Sequence, residues 1–117
     1  MVDLSTIDHI FLAPGHTDLR KGRNALRYMA QEISKDDGQH KLFLFCNKYE
    51  KLIKIYEKDE TGVWVYIRSL DESKFGRPKN INEAKEINKS QIEWLLRGLK
   101  YIKFSDIPES KKALFWG

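Results

Sequence analysis

Apolar positions along this chain fall into short blocks whose spacing changes from block to block. His9-Ile10-Phe11-Leu12-Ala13 is an apolar run stopped by Pro14-Gly15, which predicts a short strand. Leu19, Leu26, Met29, Ala30 and Ile33 then recur on one side at helical spacing. They predict a helix over 19–34, capped by Thr17 or Asp18 and ended by Lys35-Asp36-Asp37-Gly38-Gln39. Gly22 weakens its first turn. Lys41-Leu42-Phe43-Leu44-Phe45-Cys46 is apolar on both faces and is expected at the centre of a sheet. Leu52-Ile53-Lys54-Ile55-Tyr56 and Val63-Trp64-Val65-Tyr66-Ile67-Arg68 read as two further strands, joined by the turn Asp59-Glu60-Thr61-Gly62 with Gly62 suited to positive φ. Links this short make the three strands an antiparallel meander.

Residues 71–86 are polar and contain Gly76 and Pro78, so they are expected to form a loop or a weak edge. Asn88 and Gln91 have capping-box spacing ahead of Ile92, Leu95, Leu96 and Leu99, which predicts a short helix over 89–98 with Gly98 as its stop. The fold class that follows is α+β. An antiparallel sheet of about four strands carries the 19–34 helix on one face and the C-terminal helix near an edge. The absence of repeated βαβ units argues against a parallel sheet. The chain reads as one domain over 1–117, with a core of about 8–100 and a tail over 101–117 that keeps Phe104, Phe115 and Trp116.

Composition narrows the class. A content of 41% hydrophobic and 32% charged residues in 117 is that of a globular domain and excludes general disorder. Cys46 is the single cysteine, so no internal disulfide forms; no signal peptide is expected, and no apolar run reaches membrane length. The protein is expected in the cytoplasm.

The sequence carries no recognisable catalytic spacing. His9, His16, His40 and Cys46 lack metal-ligand spacing, and the 15–22 segment lacks the ending of a phosphate loop. The helix start after Gly15 offers at most free amides to one phosphate, an ordinary capped turn being the plainer reading. Carboxylates lie beside lysines or in turns, with Glu57 alone near a strand end. The reading is therefore a protein with no catalytic residues, metal or cofactor. A phosphodiester-cleaving enzyme is the alternative.

Charge is what remains. The formal net charge is +4, and the cations are grouped. Arg20, Lys21, Arg23 and Arg27 cluster at the first helix, with Arg20, Arg23 and Arg27 expected along one stripe. Lys48, Lys51, Lys54 and Lys58 follow the next loop and strand, and Arg97, Lys100 and Lys103 close the chain. Tyr49, Tyr56, Tyr66 and Tyr101 interleave with them, as phosphate contact combined with stacking requires. Tyrosines packed inward beneath a solvated charged face would produce the same pattern.

The block Thr17-Asp18-Leu19-Arg20-Lys21-Gly22, followed by Leu42 to Phe45, Lys51 to Ile55, Asp59, Gly62, Arg68-Ser69-Leu70, Phe75, Pro78 and Leu95-Leu96-Arg97-Gly98, resembles the small accessory protein (TnpB or Orf2) of the insertion-sequence sixty-six family of bacterial mobile elements. Departures stand at Glu57 and Lys58, where the family usually has tryptophan, at Arg77, and at Lys48-Tyr49 in place of a double arginine. The resemblance implies an accessory role in transposition beside a larger transposase, with element-end DNA and the transposase as partners and no membrane. The candidate nucleic-acid-binding set is Arg20, Lys21, Arg23, Arg27, Lys48, Lys51, Lys54 and Arg68. A protein adaptor working through Phe104, Phe115 and Trp116 is a third reading.

Overall fold

A computed structural model describes residues 3–20, 22–72, 74–75 and 83–97. Within them the chain forms β1 (His9–Leu12), α1 (Arg23–Ile33), β2 (Lys41–Cys46), β3 (Leu52–Lys58), β4 (Val63–Ser69), β5 (Lys85–Ile87) and α2 (Lys89–Arg97), after a single helical turn at Leu4–Thr6. The strands make one sheet in the order β4-β3-β2-β1-β5. Gly98 and the 101–117 tail lie outside the described residues.

The meander is present. β2 pairs antiparallel with β3 and β3 with β4, because loops this short can only return the chain alongside itself. β2 is the central strand, buried along its whole length. The expectation of a purely antiparallel sheet is corrected on its other side, where β1 runs parallel to β2 with His9 opposite Lys41 and Leu12 opposite Leu44. The link between them contains α1, and a crossover of that length lets two strands point the same way. The sheet is therefore mixed. Part of the 71–86 segment joins it, since β5 pairs antiparallel with β1 as a short edge.

Two apolar layers enclose the sheet. Phe43, Phe45 and Tyr56 pack against Leu26 and Ala30 of α1, with Leu19 and Ala13 from the preceding loop. The opposite layer joins Leu42, Leu44, Ile53 and Ile55 to Ile92, Leu95 and Leu96 of α2. α2 thus covers a face rather than lying by an edge, and its capping box is formed. The Asn88 Oδ1 accepts the Gln91 N–H at 2.9 Å, and the Gln91 Oε1 accepts the Asn88 N–H at 2.9 Å.

α1 begins four residues later than its pattern suggested. Gly22 is its N-cap in extended conformation with no side-chain cap, because the Asp18 carboxylate is turned to Arg20 instead of to the first helical amides. Gly62 is likewise absent from the positive-φ residues. Its turn is shaped by the Asp59 carboxylate, which accepts the Thr61 and Gly62 N–H groups at 2.9 Å each.

Candidate functional site

The parallel pair β1 and β2 ends side by side, and the loops that follow them form the walls of an open cleft lined by His16, Arg20, Asn47, Lys48 and Tyr49. In open sheets the crevice beyond the carboxyl ends of parallel strands is where ligands most often bind. The first wall is the His16-to-Arg20 segment. The Thr17 N–H donates to the Cys46 carbonyl at 2.8 Å, and Leu19 is buried in the α1-side core. Between these anchors Asp18 accepts the Arg20 Nε at 2.9 Å and its terminal nitrogen at 2.8 Å. That two-pronged bond raises the Arg20 pKa and fixes the direction of a guanidinium that is 92% exposed.

The second wall is the turn from β2 to β3. The Asn47 Oδ1 accepts the Lys51 and Leu52 N–H groups at 3.2 Å each, which folds the turn tightly. Glu50 takes the left-handed conformation at φ 59°, uncommon for a residue with a side chain, and stands 3.7 Å from the His16 Nε2. The Lys48 Nζ lies 5.0 Å from the centre of the Tyr49 ring, which is 61% exposed. An arginine whose fork is held by Asp18, a lysine and an accessible aromatic ring thus share one cleft. Their chemistry suits an anion carrying a flat ring or a neighbouring sugar. His16 and the strain at Glu50 were not anticipated as site features, and nothing in residue type or spacing announces them.

The remaining candidate cations divide between the two faces. Arg23 and Arg27 are exposed on the flank of α1 and make no ion pair among the described residues. Both lie close enough to Tyr56 that their charge opposes the rise which burial imposes on its pKa. Lys54 projects from the α1 side of β3, opposite Phe45, and Lys51 is exposed in the turn. Arg68 sits on the other face, where its Nε donates to the Leu96 carbonyl at 3.2 Å and closes the end of α2. Lys21 lies outside the described residues. The expected stripe of Arg20, Arg23 and Arg27 is split, with the first in the loop and the other two on the helix. Among the tyrosines, Tyr56 is buried and unavailable for stacking, and Tyr49 is open.

The sequence profile of the family described as "IS66 Orf2 like protein" matches residues 8–105, nearly the whole chain. The chain belongs to the IS66 Orf2-like family. Membership implies an accessory role in transposition. The "Uncharacterized protein y4hO" of Sinorhizobium fredii (strain NBRC 101917 / NGR234) is 32% identical over 95 residues, covering 79% of this chain and 81% of its own length. No solved structure matches the chain. Among the described residues no helix is long and apolar enough to cross a membrane.

Within this IS66 Orf2-like chain the departures noted in the sequence acquire places. Glu57, one of those departures, is buried. It accepts hydrogen bonds from the Tyr66 hydroxyl at 2.7 Å and from the His40 Nε2. Burial, then the bond to Glu57, pushes the Tyr66 pKa up to about 12. Lys48-Tyr49 forms the cleft wall. Among the described residues no cluster of three or more His, Cys, Asp or Glu side chains is placed to hold a metal ion.

Proposed function

We propose that this protein is a non-catalytic accessory factor for transposition that binds element-end DNA through the α1 side of the domain. The transposase is its second partner. The observation that carries the reading is the sorting of cations. Arg23, Arg27 and Lys54 share the α1 side, and Arg20 and Lys48 share the adjoining cleft. Arg68, on the opposite face, is bonded to the end of α2, and Arg97 to Glu93 at 2.8 Å. The first group suits phosphate contact, because cationic groups gathered on one side of a packed domain sum to a positive field that neutralises backbone charge.

The test is the salt dependence of affinity for duplex element ends. Each phosphate contact contributes about −0.9 to the slope of log K against log salt, so replacing Arg23, Arg27 and Lys54 by Gln flattens it by about 2.7. Arg68→Gln leaves the slope unchanged. An unaltered slope in the triple variant overturns the DNA reading. Cleavage of labelled ends in Mg²⁺ or Mn²⁺ that is lost when Lys48 and Arg20 are replaced would instead establish the enzymatic alternative.

A further inference from the structure

β4 is the long edge of the sheet, and among the described residues only β3 pairs with it. Trp64 is 61%, Val65 38% and Ile67 64% exposed, so apolar side chains stand bare on both faces of this edge. Edge strands of soluble monomers are normally blunted by charge, proline or a bulge. β4 has neither proline nor a charge before Arg68. The Asp59 N–H to Gly62 carbonyl bond and the Leu70 N–H to Lys51 carbonyl bond fix the phase of the β3–β4 ladder. By alternation, Trp64, Tyr66 and Arg68 turn their backbone groups to β3, and Val63, Val65, Ile67 and Ser69 turn theirs outward.

We infer that a second copy of this chain occupies the edge, β4 pairing antiparallel with β4 about a two-fold axis at Tyr66. That register is self-complementary. Val65 meets the partner's Ile67 on the α1 side, and Trp64 meets the partner's Arg68 on the α2 side, a cation over an indole ring. Tyr66 faces its own copy, extending the Trp64–Tyr66 stack whose ring centres lie 6.4 Å apart. Shifting the axis to Arg68 would oppose two guanidinium groups, and shifting it to Trp64 would leave Ile67 and Arg68 without partners. The axis stands perpendicular to the sheet, so both α1 helices rise from the same side and the cations of both protomers face one way. The inference rests on edge geometry and stands whether or not DNA binds.

Sedimentation of the full chain across the micromolar range tests it. The parent is expected as a dimer, and V65K/I67K as a folded monomer, since both positions are already solvent-exposed and tolerate charge. Mixing V65C with I67C protein and adding a short bis-maleimide linker, which adds one thiol at each end, should cross-link the mixture well above either variant alone, which reads the register. A parent that stays monomeric overturns the inference. So does a dimer that V65K/I67K leaves intact. A monomeric parent that dimerises only after removal of 98–117 overturns it as well, by showing that the chain leaving α2 beside Arg68 covers its own edge.

Discussion

The two faces of the sheet are built from different materials. The α1 face is aromatic, with Phe11, Phe43, Phe45 and Tyr56 supplied by strands and only Leu26 and Ala30 fully buried from the helix. Phe11 and Phe43 stack with centres 5.4 Å apart, and Phe43 meets Tyr56 edge-on at 6.1 Å. The α2 face is aliphatic and draws on α2, the N-terminal turn and the segment at Leu70 and Phe75. Its one buried carboxylate among the described residues, Glu57, sits among hydrogen-bond donors. The contrast shows a division of labour. Large rings let a small helix residue, Ala30, approach the sheet and leave the outer flank of α1 free for Arg23 and Arg27. On the other face the cations Arg68 and Arg97 are turned to helix closure and pairing.

Truncation of the two cores gives the largest effects. Phe45→Ala, at a residue 1% exposed, should cost about 3–5 kcal/mol, and Leu44→Ala on the opposite face about 2–5 kcal/mol. Chemical denaturation measures both. A larger loss at Leu44 would mean that the aliphatic face, not the aromatic one, carries most of the packing. Next comes the buried carboxylate. Glu57→Ala leaves the Tyr66 hydroxyl and the His40 ring without their acceptor and should cost about 1–3 kcal/mol. Tyr66→Phe, which removes one donor, should cost about 1 kcal/mol. If the two variants lose equally, the His40 bond contributes nothing.

Helix starts sharpen the contrast further. Asn88→Ala removes the α2 capping box and should lower the unfolding free energy by about 0.5–2 kcal/mol. α1 offers the reverse experiment. Gly22 is an extended N-cap with φ −81°, and a Cβ there meets nothing within 4 Å. Gly22→Ser should therefore stabilise by about 0.4–1 kcal/mol, by capping α1 and by narrowing the unfolded ensemble. A loss on this substitution would mean that the loop uses glycine for something other than the helix.

The smallest effect belongs to the short edge. The His9 Nδ1 lies 2.9 Å from the Glu86 Oε2, joining β1 to β5, and that hydrogen bond raises the His9 pKa above its usual 6.5. A pKa raised in the folded state means that the stabilisation is fully present below about 6.5 and is lost as pH climbs through the raised value. The pair is partly exposed, so it contributes about 0–1 kcal/mol. Denaturation midpoints of the parent and Glu86→Gln should differ at pH 5.5 and converge by pH 8.5. A constant gap across that range would assign the effect to packing.

Much of this was legible in the residues. The all-apolar run at 41–46 marks a strand covered on both sides, and it is central. The four- and five-residue links around β3 leave no geometry but a meander. The Asn88…Gln91 spacing caps α2 because two side chains of the right length close on two free amides. Other features were not legible. The helix pattern from Leu19 counted Leu19 as helical, whereas it is an anchor of the preceding loop that happens to fall in phase. Arg20 joined the helical stripe for the same reason. Nothing in the sequence assigned a role to Lys41 at the start of the apolar strand, and its ammonium is buried against the end of α1. There it donates to the Ser34 hydroxyl at 2.9 Å and the Lys35 carbonyl at 2.7 Å, and pairs with Asp37 at 3.0 Å.

What the sequence by itself determined are the elements whose bonds close within a few residues: the meander turns, the α2 cap, the central strand and the grouping of cations along the chain. Tertiary structure alone decided that β1 lies parallel to β2, that Arg68 falls on the opposite face from Lys54, that Glu57 finds Tyr66 and His40, and that Arg20 and Lys48 meet across one cleft. The physical reason is range. Periodicity records which side of its own element a residue occupies, whereas these four outcomes depend on which element arrives next to it, and that is set by the burial of the whole sheet between two helices.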